Sequence, residues 1–294
     1  MIVTPLCFST NLVFGKHVIS EVAPFVLAFI RWSAVALILS PLLWRERRGL
    51  AIVWREDRMR LVILGFLGMW ICGGMVYFAL ANTSATNGTL IYTSSSVMIL
   101  LLEARFNGRP LGKRELAGSA LAFGGIAVIV FRGNLAQLLA LEFHLADVLF
   151  VAAALSWAFY SLMYRDMAKR HELSNLGQFA IVAAVGAATL LPFAVVEAVS
   201  GQPLPNNREI WTGIAGIITI SSLLSFSGFQ YGVRTLGPAL CGIFMYLLPV
   251  YGVALAVLLL GEELRSFHLA GIALVLSGVA LATFPARLLG SRQP

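Results

Sequence analysis

Apolar residues in this chain come in long runs, at roughly 3–19, 24–44, 61–81, 85–103, 115–131, 146–165, 175–197, 210–231, 238–260 and 268–285. Each approaches the ~20 residues a helix needs to cross a hydrocarbon core of about 30 Å. The runs lack the alternating ten-residue pattern of a membrane barrel. Lipid offers no water to backbone N–H and C=O groups, so each run satisfies them best as a helix. The pattern predicts an all-α membrane protein with ten transmembrane helices. No Lys or Arg precedes the first run and Lys16 stands only at its end, so that run reads as a retained span and not as a cleaved signal.

Composition narrows the class. Hydrophobic residues make up 59% of the 294 and charged residues 12%, against about 45–50% and 25% in soluble domains. Soluble, disordered and disulfide-rich secreted classes are excluded. The three cysteines, Cys7, Cys72 and Cys241, lie inside apolar runs, so they read as small core residues and not as a disulfide framework or a metal knuckle. The formal net charge of +7 acquires a meaning from its location. With the N-terminus inside, sixteen Lys and Arg fall in cytoplasmic connections or the tail, from Arg45, Arg47 and Arg48 through Arg105, Arg165 and Arg234 to Arg287 and Arg292. Four fall opposite: Lys16, Arg132, Arg208 and Arg265. By the positive-inside rule both termini are cytoplasmic in an inner (plasma) membrane protein, and the charge marks a membrane face, not a nucleic-acid surface.

The chain also repeats itself. LAGSALAFGG at 116–125 matches LAGIALVLSG at 269–278 at six of ten positions, an offset of 153. The same offset places Gly108 on Gly261, Leu111 on Leu264, Ser96 on Pro249, Phe78 on Tyr231 and Tyr77 on Gln230. Five spans per half is an odd number, so the second copy enters the membrane from the other side. The expected organisation is two inverted five-helix repeats (5+5), residues 1–140 and 145–294. Inverted repeats are associated with alternating-access carriers whose substrate sites lie near the midplane.

AALSWAFYSLMYRDMAKR from Ala153, GPALCGIFMYLLPVYGVALAVLLLGEEL from Gly237 and HLAGIALVLSGVAL from His268 resemble the second half of an EamA-type transporter. FSTN at Phe8 to Asn11 opens a looser first copy. The resemblance, to the drug/metabolite transporter superfamily and within it to aromatic amino-acid exporters, covers nearly the whole chain. It implies the 5+5 fold and metabolite transport, and leaves amino acids, sugars, purines and drugs as substrate classes. The first half departs where Ser94-Ser95-Ser96 replaces the usual proline region and Arg109 replaces the Glu kept at Glu262.

Candidate site residues are those that break the apolar rule inside spans. The fourth run carries Asn87, Gly88, Thr89, Tyr92 and Thr93 to Ser96, with Gly88, Tyr92, Ser95 and Ser96 on one helical face. Small residues also let membrane helices approach, so close packing competes with a cavity lining there. The ninth run brings Gly242, Tyr246, Pro249 and Val253 to one face, with Pro249 mid-span as a static kink or a moving hinge. Trp157 lies deep in the sixth run, below the interfacial belt where Trp44, Trp54 and Trp211 fall, on a face with Ala153, Tyr160, Ser161 and Tyr164. Trp70 is similarly deep, beside Gly73, Gly74 and Tyr77. The expected substrate-binding set is Trp157, Tyr246, Tyr92, Tyr77, Asn11, Ser95, Gln230 and Trp70, with Pro249 as hinge.

Arg31 is a basic residue well inside a span. Two readings stand: attraction of a substrate carboxylate, or, the favoured one, a structural bond to helix-end carbonyls or to Glu262 or Glu263. Glu103, Asp147, Asp166, Glu197, Glu262 and Glu263 fall near span ends, and His17, His144, His171 and His268 are all shallow, so no proton relay is visible. The expected activity is facilitated movement of a small uncharged or zwitterionic metabolite with an apolar body, amino acids including aromatic ones first among them, with a proton-coupled antiporter on the same fold as the alternative. No cofactor, metal or nucleic-acid partner is implied. No GxSxG or HExxH motif supports an intramembrane enzyme, short connections leave little surface for a scaffold, and a monomer fits the sequence.

Overall fold

The computed structural model describes residues 1–80, 85–134, 145–261 and 263–283. Glu262, His144, Arg287 and Arg292 lie outside the described residues, as do the side chains of Lys16, His17 and Asn87. Helix occupies all ten apolar runs, and there is no strand among the described residues. In chain order the helices are α1 (Val3–Glu21), α2 (Pro24–Ile38), α3 (Ser40–Arg45), α4 (Arg47–Gly65), α5 (Val76–Leu80), α6 (Ala85–Thr93), α7 (Ser95–Asn107) and α8 (Lys113–Val130), then α9 (Leu145–Arg170), α10 (Asn175–Val199), α11 (Arg208–Gly216), α12 (Ser225–Leu236), α13 (Pro238–Met245), α14 (Leu247–Leu260) and α15 (Ser266–Thr283). Two π-helical stretches, Phe66–Met75 and Ile217–Leu224, join α4 to α5 and α11 to α12. Among the described residues, six helical spans are long and apolar enough to cross a membrane by length and composition. Apolar side chains face outward on them, with Val196, Leu258 and Leu269 all exposed, as lipid contact requires.

Local breaks recur at the offset seen in the sequence. Gly108 and Gly261, 153 apart, both end their helices with positive φ, at 62° and 68°. That left-handed conformation lets a C-terminal carbonyl find a partner without a Cβ clash. The fourth run breaks at Ser94 and the ninth at Tyr246. At the second, Pro249 lacks the N–H that would bond to the Met245 carbonyl. The first has no proline. There the Ser94 hydroxyl bonds to the Ile91 carbonyl and the Thr93 hydroxyl to the Thr89 carbonyl, 2.6 Å for the latter, and such back-bonding bends helices.

Packing follows the small residues. α8 lies along α15, with a Cβ at Gly118 falling 2.5 Å from the Gly278 carbonyl and one at Gly125 falling 2.7 Å from that of Gly271. α10 lies along α2, and α1 along α14. Two apolar clusters result. The larger is built around Trp32, Phe179, Tyr160 and Phe229. The smaller holds Leu100, Ala122, Ile126, Ile243, Tyr246 and Val275 from α7, α8, α13, α14 and α15.

Candidate functional site

Residues three, four and seven apart share a face of a helix, and α9 uses this to stack rings along its length. Trp157 lies 5.4 Å from Tyr160 at 15° between planes, and Tyr160 lies 6.0 Å from Tyr164 at 20°. Phe8, Phe226 and Phe229 close on Trp157 with centroids at 6.2, 5.5 and 4.7 Å. The Tyr160 hydroxyl accepts from Gln230 Nε2, and the Tyr164 hydroxyl donates to Asn175 Oδ1 at 3.3 Å. Buried phenols need such partners.

Above this ladder lies a cavity of about 250 Å³. Phe150 and Trp157 mark its depth along α9, about 10 Å at the rise of a helix. Phe8 and Asn11 come from α1, Arg31 from α2, Cys72 from the first π stretch, Val76, Tyr77 and Leu80 from α5. Gly88 to Ser96 of α6 and α7 contribute Tyr92 and four hydroxyls, and Ser221, Phe226, Met245 and Leu248 complete the wall from the later helices. The Asn11 Oδ1 is buried with no partner among the described residues. Arg31, 6% exposed, donates to Ser222 Oγ, to the Tyr77 hydroxyl at 2.8 Å and to the Ser221 carbonyl at 3.2 Å.

Of the residues expected from sequence, Trp157, Tyr92, Tyr77, Asn11 and Ser95 meet at this cavity. Three lie elsewhere. Tyr246 is fully buried in the smaller cluster with Leu100, Ala122 and Val275, on the helical face of Ala239, Ile243 and Val250, while Met245 and Leu248 on another face line the wall. Gln230 sits beneath the floor on Tyr160. Trp70 packs laterally against Phe25, Phe66 and Phe193 at 4.8–5.4 Å, two of which are exposed on the bundle surface. Pro249 stands three residues past the break at Tyr246.

The profile of the EamA-like transporter family matches residues 1–131 and 144–284, once over each half. The chain belongs to the EamA-like transporter family. Over 95% of its length and 94% of the other's, this EamA-like transporter is 27% identical to an uncharacterised transporter of Archaeoglobus fulgidus. It is 26% identical over 88% of its length to a probable terminal-alkyne amino-acid exporter of Streptantibioticus cattleyicolor, covering 82% of that protein. A solved crystal structure shares its fold with a TM-score of 0.74 at 19% identity, over 99% of this chain and 97% of that one. It is a multi-pass membrane transporter.

Sequence reasoning on this EamA-like transporter passed over Phe8, Phe226, Ser221 and the neighbouring Ser222. A signal existed for the serines: Ser221, Ser222 and Ser225 interrupt the eighth apolar run much as Ser94 to Ser96 interrupt the fourth. For Arg31 the favoured expectation is a structural bond to helix-end carbonyls or to Glu262 or Glu263, and it does donate to one backbone carbonyl, that of Ser221. Glu263 instead pairs with Arg265 at 3.2 Å on the surface, Glu262 lies outside the described residues, and Arg31 is on the cavity wall.

Below the floor, the transporter is filled toward its arginine-rich face. Arg165 Nη1 meets Glu103 Oε1 at 2.7 Å, and Glu103 Oε2 accepts from the Ala239 N–H at 2.8 Å. A carboxylate at that place complements the positive end of α13. His171 meets Asp57 at 2.7 Å, and Glu46 Oε2 accepts from the Ser174 N–H at 3.0 Å. The cavity therefore lies in the half of the bundle away from the arginine-rich connections.

Proposed function

We propose that the protein moves small metabolites, amino acids with large apolar or aromatic side chains among them, across the inner membrane by alternating access. The cavity carries this reading. Its volume of about 250 Å³ is just below the usual range of ligand pockets, about 300–1,000 Å³, which suits a small solute, and its rings offer stacking of about 0.5–1.5 kcal/mol beyond area burial. The exporter relative named for an amino acid points to the same class. With both termini in the cytoplasm, the cavity faces outward and the contacts of Glu103, Arg165 and Tyr164 close the cytoplasmic side.

The repeat offset supports reading the two halves as an inverted pair that rock against one another. The offset of 153 carries Gly118 to Gly271 and Gly125 to Gly278, so the contacts Gly118–Gly278 and Gly125–Gly271 exchange with one another, as a two-fold axis between α8 and α15 demands. The paired π stretches and paired breaks obey nearly the same offset. No carboxylate is among the described lining residues, so transport runs down the substrate gradient without a dedicated proton relay.

Proteoliposomes loaded with phenylalanine, leucine, threonine or a sugar test this by counterflow without an imposed ion gradient. Phenylalanine and leucine are expected to exchange. Exchange of the sugar alone, or a strict need for a pH gradient, would refute the reading. Trp157→Ala is expected to lower phenylalanine exchange by about tenfold, near 1.4 kcal/mol, and Trp157→Phe to restore much of it. Wild-type exchange in Trp157→Ala would remove the ring from the site. Pro249→Ala restores an N–H to the Met245 carbonyl and straightens the ninth span. Maximal exchange is expected to fall several-fold with little change in half-saturation, and an unchanged rate would mean that the kink is static.

A further inference from the structure

We propose that Arg31 is the residue that binds a carboxylate in the cavity, and that the carboxylate, more than any ammonium group, decides which solutes enter. The inference rests on the transport reading above and specifies its substrate chemistry.

A guanidinium inside a membrane bundle is costly unless its charge and its donors are met. Arg31 has five N–H groups and three hydrogen bonds, all to neutral oxygens of Ser222, Tyr77 and Ser221. Nη1 and Nη2 make one bond each, so both terminal nitrogens keep an N–H without a partner among the described residues. The rings of Trp32 and Phe226, 4.7 and 5.7 Å from Cζ, compensate part of the charge and hold the head in place. The carboxylate of Glu197 is committed to the start of α2, where its Oε2 accepts from the Phe25 and Val26 amides at 2.8 and 2.9 Å.

The remaining fork suits a carboxylate, which takes two parallel N–H bonds. Arg31 is also the sole charged group among the described residues of the wall. Its field favours an anion over a zwitterion and a zwitterion over a cation. The orphan Asn11 Oδ1 lies on the same wall: Thr10 Oγ1 is 2.9 Å from Ser221 Oγ, and the Ser221 carbonyl is one that Arg31 holds. That oxygen can accept from an ammonium or a hydroxyl, but supplies no negative charge. A purely structural arginine would show no dependence on the solute's carboxylate.

The test compares phenylalanine, phenylalanine amide and 3-phenylpropionate on the wild-type protein, by titration calorimetry and by counterflow. Loss of the carboxylate is expected to weaken binding about 10- to 100-fold, whereas loss of the ammonium changes it by no more than about threefold. Equal affinity for phenylalanine and its amide would overturn the proposal and leave amino-acid transport standing. Binding of 3-phenylpropionate without phenylalanine would support it and end the amino-acid reading, and binding of neither acid would end both. Arg31→Gln, with melting behaviour like wild type, is expected to bring the acid-to-amide ratio close to one, while Arg31→Lys keeps part of it. A ratio that persists in a folded Arg31→Gln protein would also overturn the proposal. If that variant does not fold, the wild-type pair of ligands decides.

Discussion

Gly278→Val is expected to prevent stable assembly of this transporter, with a loss of at least about 3 kcal/mol, above the usual overpacking range. A Cβ at Gly278 would sit 2.5 Å from the Gly118 carbonyl, 2.5 Å from the Ala122 nitrogen and 2.9 Å from the Ala122 Cα. All three are backbone atoms, so no side chain can swing aside and α15 must withdraw from α8. Association of helices in lipid depends on close van der Waals packing, since the tails are as apolar as the side chains. Withdrawal therefore removes the close packing of α8 on α15. Gly124, one residue from a contacting glycine, has open space around its missing Cβ and no left-handed φ. Gly124→Ala is expected to leave stability unchanged or to raise it by up to about 1 kcal/mol. Thermal unfolding in detergent, followed by helical signal and by elution as a single species, compares the two. Equal melting of Gly278→Val and wild type would show that stability does not depend on this seam.

The same seam shows what the sequence could and could not yield. Its glycines were legible because LAGSALAFGG and LAGIALVLSG state the offset openly, and that offset also pairs Gly108 with Gly261, which the structure places at left-handed helix ends. Helix positions were legible because a long apolar run in lipid satisfies its backbone best as a helix. The break at Ser94 was not, because proline announces a break by chemistry while serine bonds its own backbone only in some contexts. Side-chain direction was not legible at Tyr246. An ideal helical wheel placed it with Pro249 on a substrate face, but periodicity does not say which face meets the cavity: Tyr246 shares the face of Ala239, Ile243 and Val250 in the smaller cluster, and Met245 and Leu248 line the wall. Arg31 was legible as a charge inside a span, but the side chains that meet it were not. Burial depth along one helix cannot reveal that Tyr77, 46 positions away, and Ser221 and Ser222, 190 and 191 positions away, converge on it.

Glu103→Gln is expected to open the arginine-rich face. Glu103 is 4% exposed and joins three elements: its own α7, α9 through Arg165 and α13 through the Ala239 amide. A glutamine can still accept from Ala239, so the substitution removes the counter-charge of Arg165 more than it removes the cap. Breaking a buried pair costs about 3–5 kcal/mol. Arg165 also touches Asp166, which is 45% exposed, at 3.2 Å, so the net effect is reduced to about 2 kcal/mol, or roughly thirtyfold in the balance between closed and open forms. Cys241 reports the change, since it is fully buried two residues beyond Ala239, with its Sγ 4.0 Å from Met1 Sδ. In a background with Cys7 and Cys72 replaced by alanine, a water-soluble maleimide should label Cys241 slowly in the parent and at least tenfold faster in Glu103→Gln. Arg165→Met should act in the same direction, and the double variant should fall short of the sum of the two, because both remove one interaction. Unchanged labelling in a folded Glu103→Gln protein would mean that the ring ladder of Trp157, Tyr160 and Tyr164 closes this face without help from the ion pair.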